Sequence, residues 1–533
     1  MGALAAFRNV QGSERKNYIV ESIGGGCAFI DYNGDGRLDI LLVRGSTLEQ
    51  MLPGESQKPR PTGNPVVALF ENQGGDTFTD VSRKAGLTAL GWGMGVVVAD
   101  YDNDGWSDFV VTGLGRNFLF HNQGDGTFRE RARPAGVSRE GVWSTGAAFG
   151  DLDGDGDLDL FIAAYVDVDL KRLPRRGSGL NCVYKGADVF CGPRGMPAGR
   201  CALFRNDGQG KFVDVTVESG IREGAPPFYS LQPLIADFDG DELPDIFVAN
   251  DSTPNYLFHN QGKLRFQETA ITSGVAVNMD GRAQASMGAD AADYDNDGAL
   301  DIFVTNFSED TNTLYRSAGK GTFEDASWSS RVGPPSWLFL GWGAKFLDYD
   351  NDGLLDLVVT NGHVYPEADQ FRGGSAYRQR CLLHRNTGNG AFKEIGAREP
   401  VLAVPGTGRG LATGDYDNDG DVDVLINNQD SAPRLLRNDA APAGHWLTVK
   451  LQGSSSNRDS VGARVIVRAG KKTLSAVRLS GDSYLSSSDP RLHFGLGGET
   501  LVRELAVRWP GGATRKLTNL SVDRMIQIEE LKP

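Results

Sequence analysis

Short apolar runs rich in β-branched residues recur along most of the chain, each broken by polar turn residues. Val96-Val97-Val98-Ala99 is one; it stops at an acidic stretch beginning at Asp100, and Phe109-Val110-Val111 follows. Runs this short, bounded by turn formers, predict strands, so the acidic stretch between them is a hairpin tip. A second pattern, L-F/Y-x-N-x-G-x-G-x-F-x-D/E, predicts two more strands around a glycine turn; its copies begin at Leu69, Leu119, Leu203, Leu257, Leu314, Leu383 and Leu435. One unit therefore reads strand, acidic loop, strand, connection, strand, glycine turn, strand. Four strands in roughly 50 to 85 residues per unit predict an all-β, seven-bladed β-propeller with variable insertions.

The ends of the repeat predict how the ring closes. The last copy, Leu435-Leu436-Arg437-Asn438, stops before its fourth strand, and Phe7-Arg8-Asn9-Val10 resembles the missing piece. Pairing them completes the last blade and leaves no open edge. The expected domains are a propeller over 1–441 and a small C-terminal β-domain over 442–533. By strand order, acidic loops and glycine turns share one face of the disc. The largest insertions, 41–68, 165–202 and 361–382, join second to third strands and so build the opposite face, where a ligand site is expected.

The acidic stretches are nonapeptides of the form D-x-D/N-x-D-G-x-x-D. The predicted metal ligands are Asp31, Asn33, Asp35 and Asp39; Asp100, Asp102, Asp104 and Asp108; Asp151, Asp153, Asp155 and Asp159; Asp237, Asp239, Asp241 and Asp245; Asp293, Asp295, Asp297 and Asp301; Asp348, Asp350, Asp352 and Asp356; Asp415, Asp417, Asp419 and Asp423. Carboxylates at positions 1, 3 and 5 of a tight loop converge, glycine at position 6 permits the turn, and position 9 closes an all-oxygen shell suited to calcium. The fourth loop carries Glu242 where the others have glycine. The loops lack the closing glutamate and flanking helices of an EF-hand. About seven calcium ions of structural role are expected.

Composition sharpens this picture in one respect. The formal net charge is −15, and seven divalent ions would bring it to about −1, so the acidity reads as a metal footprint and not as a call for a basic partner. No basic run suggests nucleic acid, and no apolar stretch approaches a bilayer span. As given, the chain shows no signal peptide, which implies the cytoplasm, or secretion if a leader has been removed. Among five cysteines, Cys182 and Cys191 flank a short loop where a disulfide fits.

The repeats resemble the FG-GAP/VCBS blades of integrin α-subunits and bacterial surface proteins. Near the C-terminus, Asn457, Ser460-Val461-Gly462-Ala463-Arg464-Val465, Leu492-His493-Phe494-Gly495-Leu496-Gly497 and Val507-Arg508-Trp509-Pro510-Gly511-Gly512 look like the ASPIC/UnbV domain. Together they resemble the cartilage acidic protein family in a bacterial form. Cys191-Gly192-Pro193 and Asn361-Gly362-His363-Val364-Tyr365 also look like family hallmarks, whereas Gly481-Asp482-Ser483-Tyr484 departs from the family's usual glycine-tyrosine segment. The resemblance implies calcium, and relatives beside natural-product pathways imply a tailoring role.

Two functions are therefore expected. The first is a calcium-stabilised recognition scaffold whose insertion face binds a small molecule, a glycan or a protein. The alternative is a cyclase-type enzyme of natural-product biosynthesis acting on a polyketide-like substrate at the channel mouth. Its candidate groups are His363, whose reference pKa lies near neutrality, with Tyr365, Asn250, Asp251, Asn306 and Arg409. First-strand segments Gly91-Trp92-Gly93-Met94, Ser286-Met287-Gly288 and Gly341-Trp342-Gly343 are expected to add aromatic or apolar walls. His121 and His259 share one repeat position and read as structural. Nucleophile elbow, phosphate loop and dinucleotide motifs are missing from the sequence, which argues against an ordinary hydrolase, kinase or dehydrogenase.

Overall fold

A computed structural model describes residues 2–51, 65–223, 225–371, 373–439 and 444–531. Its architecture is all-β. Six sheets of four antiparallel strands and a seventh of three follow one another along the chain, each paired in sequence order. In the first sheet these strands are Cys27–Ile30, Asp39–Val43, Val67–Asn72 and Phe78–Asp80. The first strands of successive sheets are neighbours, and that of the seventh, Gly408–Gly414, packs against that of the first, so the arrangement is cyclic and propeller-like.

The repeat signatures explain this geometry. First strands such as Trp92–Ala99 are buried along their whole length because they lie between adjacent sheets, which is why they read as continuous apolar runs. Fourth strands bury only their leading phenylalanine, as in Phe78–Asp80 and Phe212–Asp214. The asparagine of the second signature ties six of the seven sheets to the one before. Asn122, Asn206, Asn260, Asn386 and Asn438 donate from Nδ2 to the carbonyls of Tyr32, Tyr101, Leu152, Tyr294 and Tyr349, at 2.7 to 3.0 Å. Asn72 donates to Tyr416 at 3.0 Å and so closes the circle across the chain. The fifth sheet carries Ser317 at the equivalent position.

The N-terminal segment closes the ring differently from expectation. Gly2–Ala6 forms a helical turn, and residues 7–10 add no antiparallel strand to the seventh sheet. Asn9 instead makes a single parallel bridge to Gln429, while Phe7 packs edge-on against Phe70 in a core shared with Leu425. The clasp joins first and last sheets through a side chain more than through a strand. The expected domain boundary at 441 and 442 lies outside the described residues.

Residues 445–529 form two further sheets, one of three strands and one of four, around their own core of Leu447, Val465, Leu505 and Trp509. This domain sits on the acidic loops. Arg458 N–H donates to Asn103 Oδ1 at 2.8 Å, and His493 Nε2 lies 2.7 Å from Asn351 Oδ1. Arg491 donates to the Asp415 carbonyl at 2.6 Å, and Lys472 donates to the Asp352 carbonyl. From it a loop, residues 480–488, runs down the axis of the ring and touches the first strand of every sheet. Phe29, Val96, Phe149 and Ala289 N–H groups donate to the carbonyls of Ser487, Leu485, Ser480 and Ser483. Leu485 N–H donates to Gln232 Oε1, Lys345 pairs with Asp482, and Thr413 N–H donates to Ser488 Oγ. Glycine makes room for it: a Cβ at Gly26 would stand 1.9 Å from the Leu485 carbonyl oxygen.

Candidate functional site

The hairpin loops hold their carboxylates by backbone hydrogen bonds. In the second loop Asp100 accepts from the N–H groups of Asp104 and Gly105 at 3.0 and 2.8 Å, Asp104 accepts from Trp106, and Asp108 accepts from Asn122 at 2.6 Å. These contacts turn the remaining oxygens inward. Carboxylate oxygens of Asp100, Asp102 and Asp104 converge to within 4.8 Å, as do those of Asp151, Asp153 and Asp155 and of Asp237, Asp239 and Asp241. At position 3, Oδ1 of Asp102, Asp153, Asp350 and Asp417 is buried with no hydrogen-bond donor, as is Asp293 Oδ1 at position 1. Burial, reinforced by neighbouring carboxylates, pushes Asp159 and Asp301 up to about 8. Orphaned oxygens at one repeated position, in an all-oxygen donor set, fit a hard divalent cation.

The sequence reading missed what overhangs these loops. His121 Nδ1 lies 3.3 Å from both Asp102 and Asp108, and His259 Nδ1 lies 3.2 Å from Asp239 and Asp245. Arg385, at the same repeat position, reaches Asp350 at 2.7 Å. The signal was there in the shared position of L-F-x-N, whose side chain alternates onto the loop side of the third strand.

Glu242 occupies the loop's glycine position at φ 77° and pairs with Arg508 of the C-terminal domain. A left-handed conformation costs a non-glycine residue about 1–2 kcal/mol, whereas the ion pair is exposed and screened by water. Glu242→Gly is therefore expected to raise stability by about 1 kcal/mol in denaturant titration; a loss of that size would mean that the ion pair outweighs the strain.

A second candidate site is a cavity of about 400 Å³, within the range of roughly 300–1,000 Å³ usual for small-ligand pockets. Its walls come from the 165–202 insertion and from other second-to-third connections: Tyr165, Tyr184, Phe190, Phe307 and Tyr365, with Trp342 from a first strand and Met287 just ahead of one. The rings pack on one another, Phe190 against Tyr365 at 4.7 Å and Tyr184 against Tyr365 at 5.4 Å. A Cys182–Cys191 disulfide ties the insertion that carries Tyr184 and Phe190. Beneath the cavity, Tyr484 of the axial loop meets Trp342 edge-on at 4.8 Å.

Of the six candidate polar residues, only Asp251 and Tyr365 line the cavity. The Tyr165 hydroxyl donates to Asp251 Oδ2, and Ser252 Oγ donates to Oδ1 at 2.9 Å. Burial raises the pKa of both Asp251 and Tyr165. His363 lies behind the wall, fully buried, with Nδ1 accepting from Tyr365 N–H at 3.0 Å and Nε2 3.2 Å from Ser308 Oγ. Burial, and then the nearby Arg409 cation, brings its pKa down to about 3, so the ring is neutral near pH 7 and is held as a strut, not poised for proton transfer. Arg409 is also fully buried; it donates to the carbonyls of Ser22, Gly362 and Gly408 and lies 4.2 Å over the Trp342 ring. Asn250 and Asn306 donate to the carbonyls of Pro254 and Thr311, capping their strands. Of the expected walls, Trp342 and Met287 reach the cavity, while Trp92 bonds Gln11.

Comparison with known proteins adds relatives. The FG-GAP-like repeat profile matches residues 31–111, 100–162, 237–304, 293–359 and 374–426, and the ASPIC and UnbV profile matches 453–533. Cartilage acidic protein 1 of Mus musculus is 28% identical over 326 residues, covering 59% of this chain and 47% of that protein. The Homo sapiens protein of the same name is also 28% identical, covering 59% and 46%. The chain thus spans about half the length of these curated relatives. A solved structure described as BBS1N in complex with ARL6DN aligns over 82% of this chain and 98% of its own, at 10% identity and a TM-score of 0.40.

Proposed function

Because the chain belongs to the FG-GAP-repeat proteins that end in an ASPIC and UnbV domain, we propose that it is a calcium-stiffened binding scaffold. Its ligand enters the aromatic cavity on the face away from the acidic loops. The observation that carries this reading is the cavity itself, walled by rings from several insertions and braced by Trp342 and the axial loop. Large rigid rings bury apolar ligand surface at small entropic cost, while two carboxylates and a few hydroxyls orient what enters.

Calcium in this reading is structural. Asp102, Asp153, Asp350 and Asp417 would hold it through their orphaned oxygens, and its charge offsets carboxylates that otherwise repel. The cyclase alternative relies on positioning by His363, Tyr365, Asn250, Asp251, Asn306 and Arg409, of which Asp251 and Tyr365 line the cavity and His363 is buried behind its wall; binding is the reading this arrangement favours.

A crystallographic fragment screen on the calcium-loaded protein tests the site. Fragments are expected to concentrate between Tyr165, Phe307 and Tyr365 and to disappear in Ala285→Trp, which fills the cavity from a lining position. Fragments that avoid this cavity, or that survive the bulky substitution, would refute the assignment.

A further inference from the structure

Asp251 is the chemical anomaly of the cavity. It stands at the wall of a space lined mainly by aromatic and aliphatic side chains, yet its two oxygens accept only from the hydroxyls of Tyr165 and Ser252. Among the described residues no salt bridge joins it, and the one cation that acts on it is the exposed Arg194. A carboxylate taken partly out of water and given two neutral donors is poorly compensated, because hydroxyl dipoles offset only part of the lost hydration of a full charge. A positively charged ligand supplies what is missing.

The rest of the lining favours the same sign. Asp310 is the second carboxylate on the cavity, held by Gln284 Nε2 at 2.7 Å, and Arg194 is the single lining cation, with its side chain exposed. The lining thus carries a net negative charge. The same cavity is lined by the electron-rich rings of Tyr165, Tyr184, Phe307 and Tyr365, and Tyr165 bonds Asp251 directly. Aromatic faces attract a cation through their quadrupole, most strongly where water is excluded. A ring-lined box with a carboxylate at its wall discriminates an ammonium head from a neutral group of the same shape twice over, by charge and by ring contact.

We propose that this cavity recognises a cationic amine, with the ammonium group placed against Asp251 and the rings of Tyr165 and Tyr365, and the uncharged remainder of the ligand lying along Phe307 and Trp342. The inference rests on the binding reading above and names the ligand class that the site takes. Asp310, also on the lining, is left to meet a polar substituent of that remainder.

Calorimetric titration of the full chain, loaded with calcium, with benzyltrimethylammonium and with benzyl alcohol separates the possibilities. The ammonium probe is expected to bind at least about tenfold more tightly than the alcohol. Asp251→Asn, which keeps the shape and can still accept from Tyr165, is expected to erase that preference. Tyr365→Leu, which keeps apolar bulk and removes a ring, is expected to weaken the ammonium severalfold and the alcohol little. Should either variant fail to fold, the other variant and the wild-type preference still decide. Equal binding of both probes, or a preference that survives Asp251→Asn, overturns the cationic assignment while leaving a ligand site in place. Binding of neither probe to the folded protein overturns both the assignment and the binding reading.

Discussion

Stripping divalent ions with a chelator is expected to lower Tm by on the order of 15 °C, and adding calcium back is expected to restore it. Each ion held only by the folded state contributes about 2.7 kcal/mol at a free concentration one hundred times its dissociation constant. Seven such sites in a chain of 533 residues, whose unfolding entropy is about 2.1 cal/mol/K per residue, give a shift of that size if the chain unfolds as one unit. The physical cause is in the loops. Carboxylates within 4.8 Å of one another and partly buried are tolerable only if protonated or bound to a cation. Scanning calorimetry with elemental analysis checks this, and an unchanged Tm after confirmed metal removal would exclude a metal-dependent framework.

Lys345→Met is the second large effect. The ammonium lies 2.8 Å from Asp290 Oδ1 and 2.8 Å from Asp482 Oδ2, joining the sixth sheet to the fifth and to the axial loop of the C-terminal domain. Asp290 is fully buried and also accepts from Phe346 N–H. Removing the cation leaves two facing carboxylates without compensation, a change that costs about 3–5 kcal/mol when one partner of a buried ionic cluster is deleted. Denaturant titration is expected to show a loss in that range. Adding Asp482→Asn to Lys345→Met is expected to recover part of it, because the two sites share one interaction. A single variant within 1 kcal/mol of wild type would mean that the C-terminal loop is seated by its backbone bonds alone.

Much of the framework was readable from the residues in order. The nine-residue loops, with their alternating carboxylates and position-6 glycine, encode a hairpin tip by local geometry alone, and Phe78 or Phe212 marks the buried head of a fourth strand. The tie made by Asn72 was visible as a repeated letter but not as a bond, since its acceptor at Tyr416 lies on the last sheet. The same limit applied to the site. Asp251 and Tyr365 were legible as polar groups at strand ends, but His363 carries the same local signature and ends up sealed behind Ser308 and Arg409. Whether a strand-end side chain faces a cavity or a neighbouring sheet depends on the packing of segments far apart in sequence.

Repetition itself determined the strand order, the number of loops and the oxygen-rich chemistry of their tips, because each follows from contacts within a few residues. Tertiary structure alone decided that residues 480–488 run down the axis, that Tyr165, Tyr184 and Phe190 from one insertion meet Phe307 and Tyr365 from others, and that the N-terminal segment clasps the ring through Phe7. Those outcomes depend on long-range closure and on which side chains lose their water, and no local pattern records either.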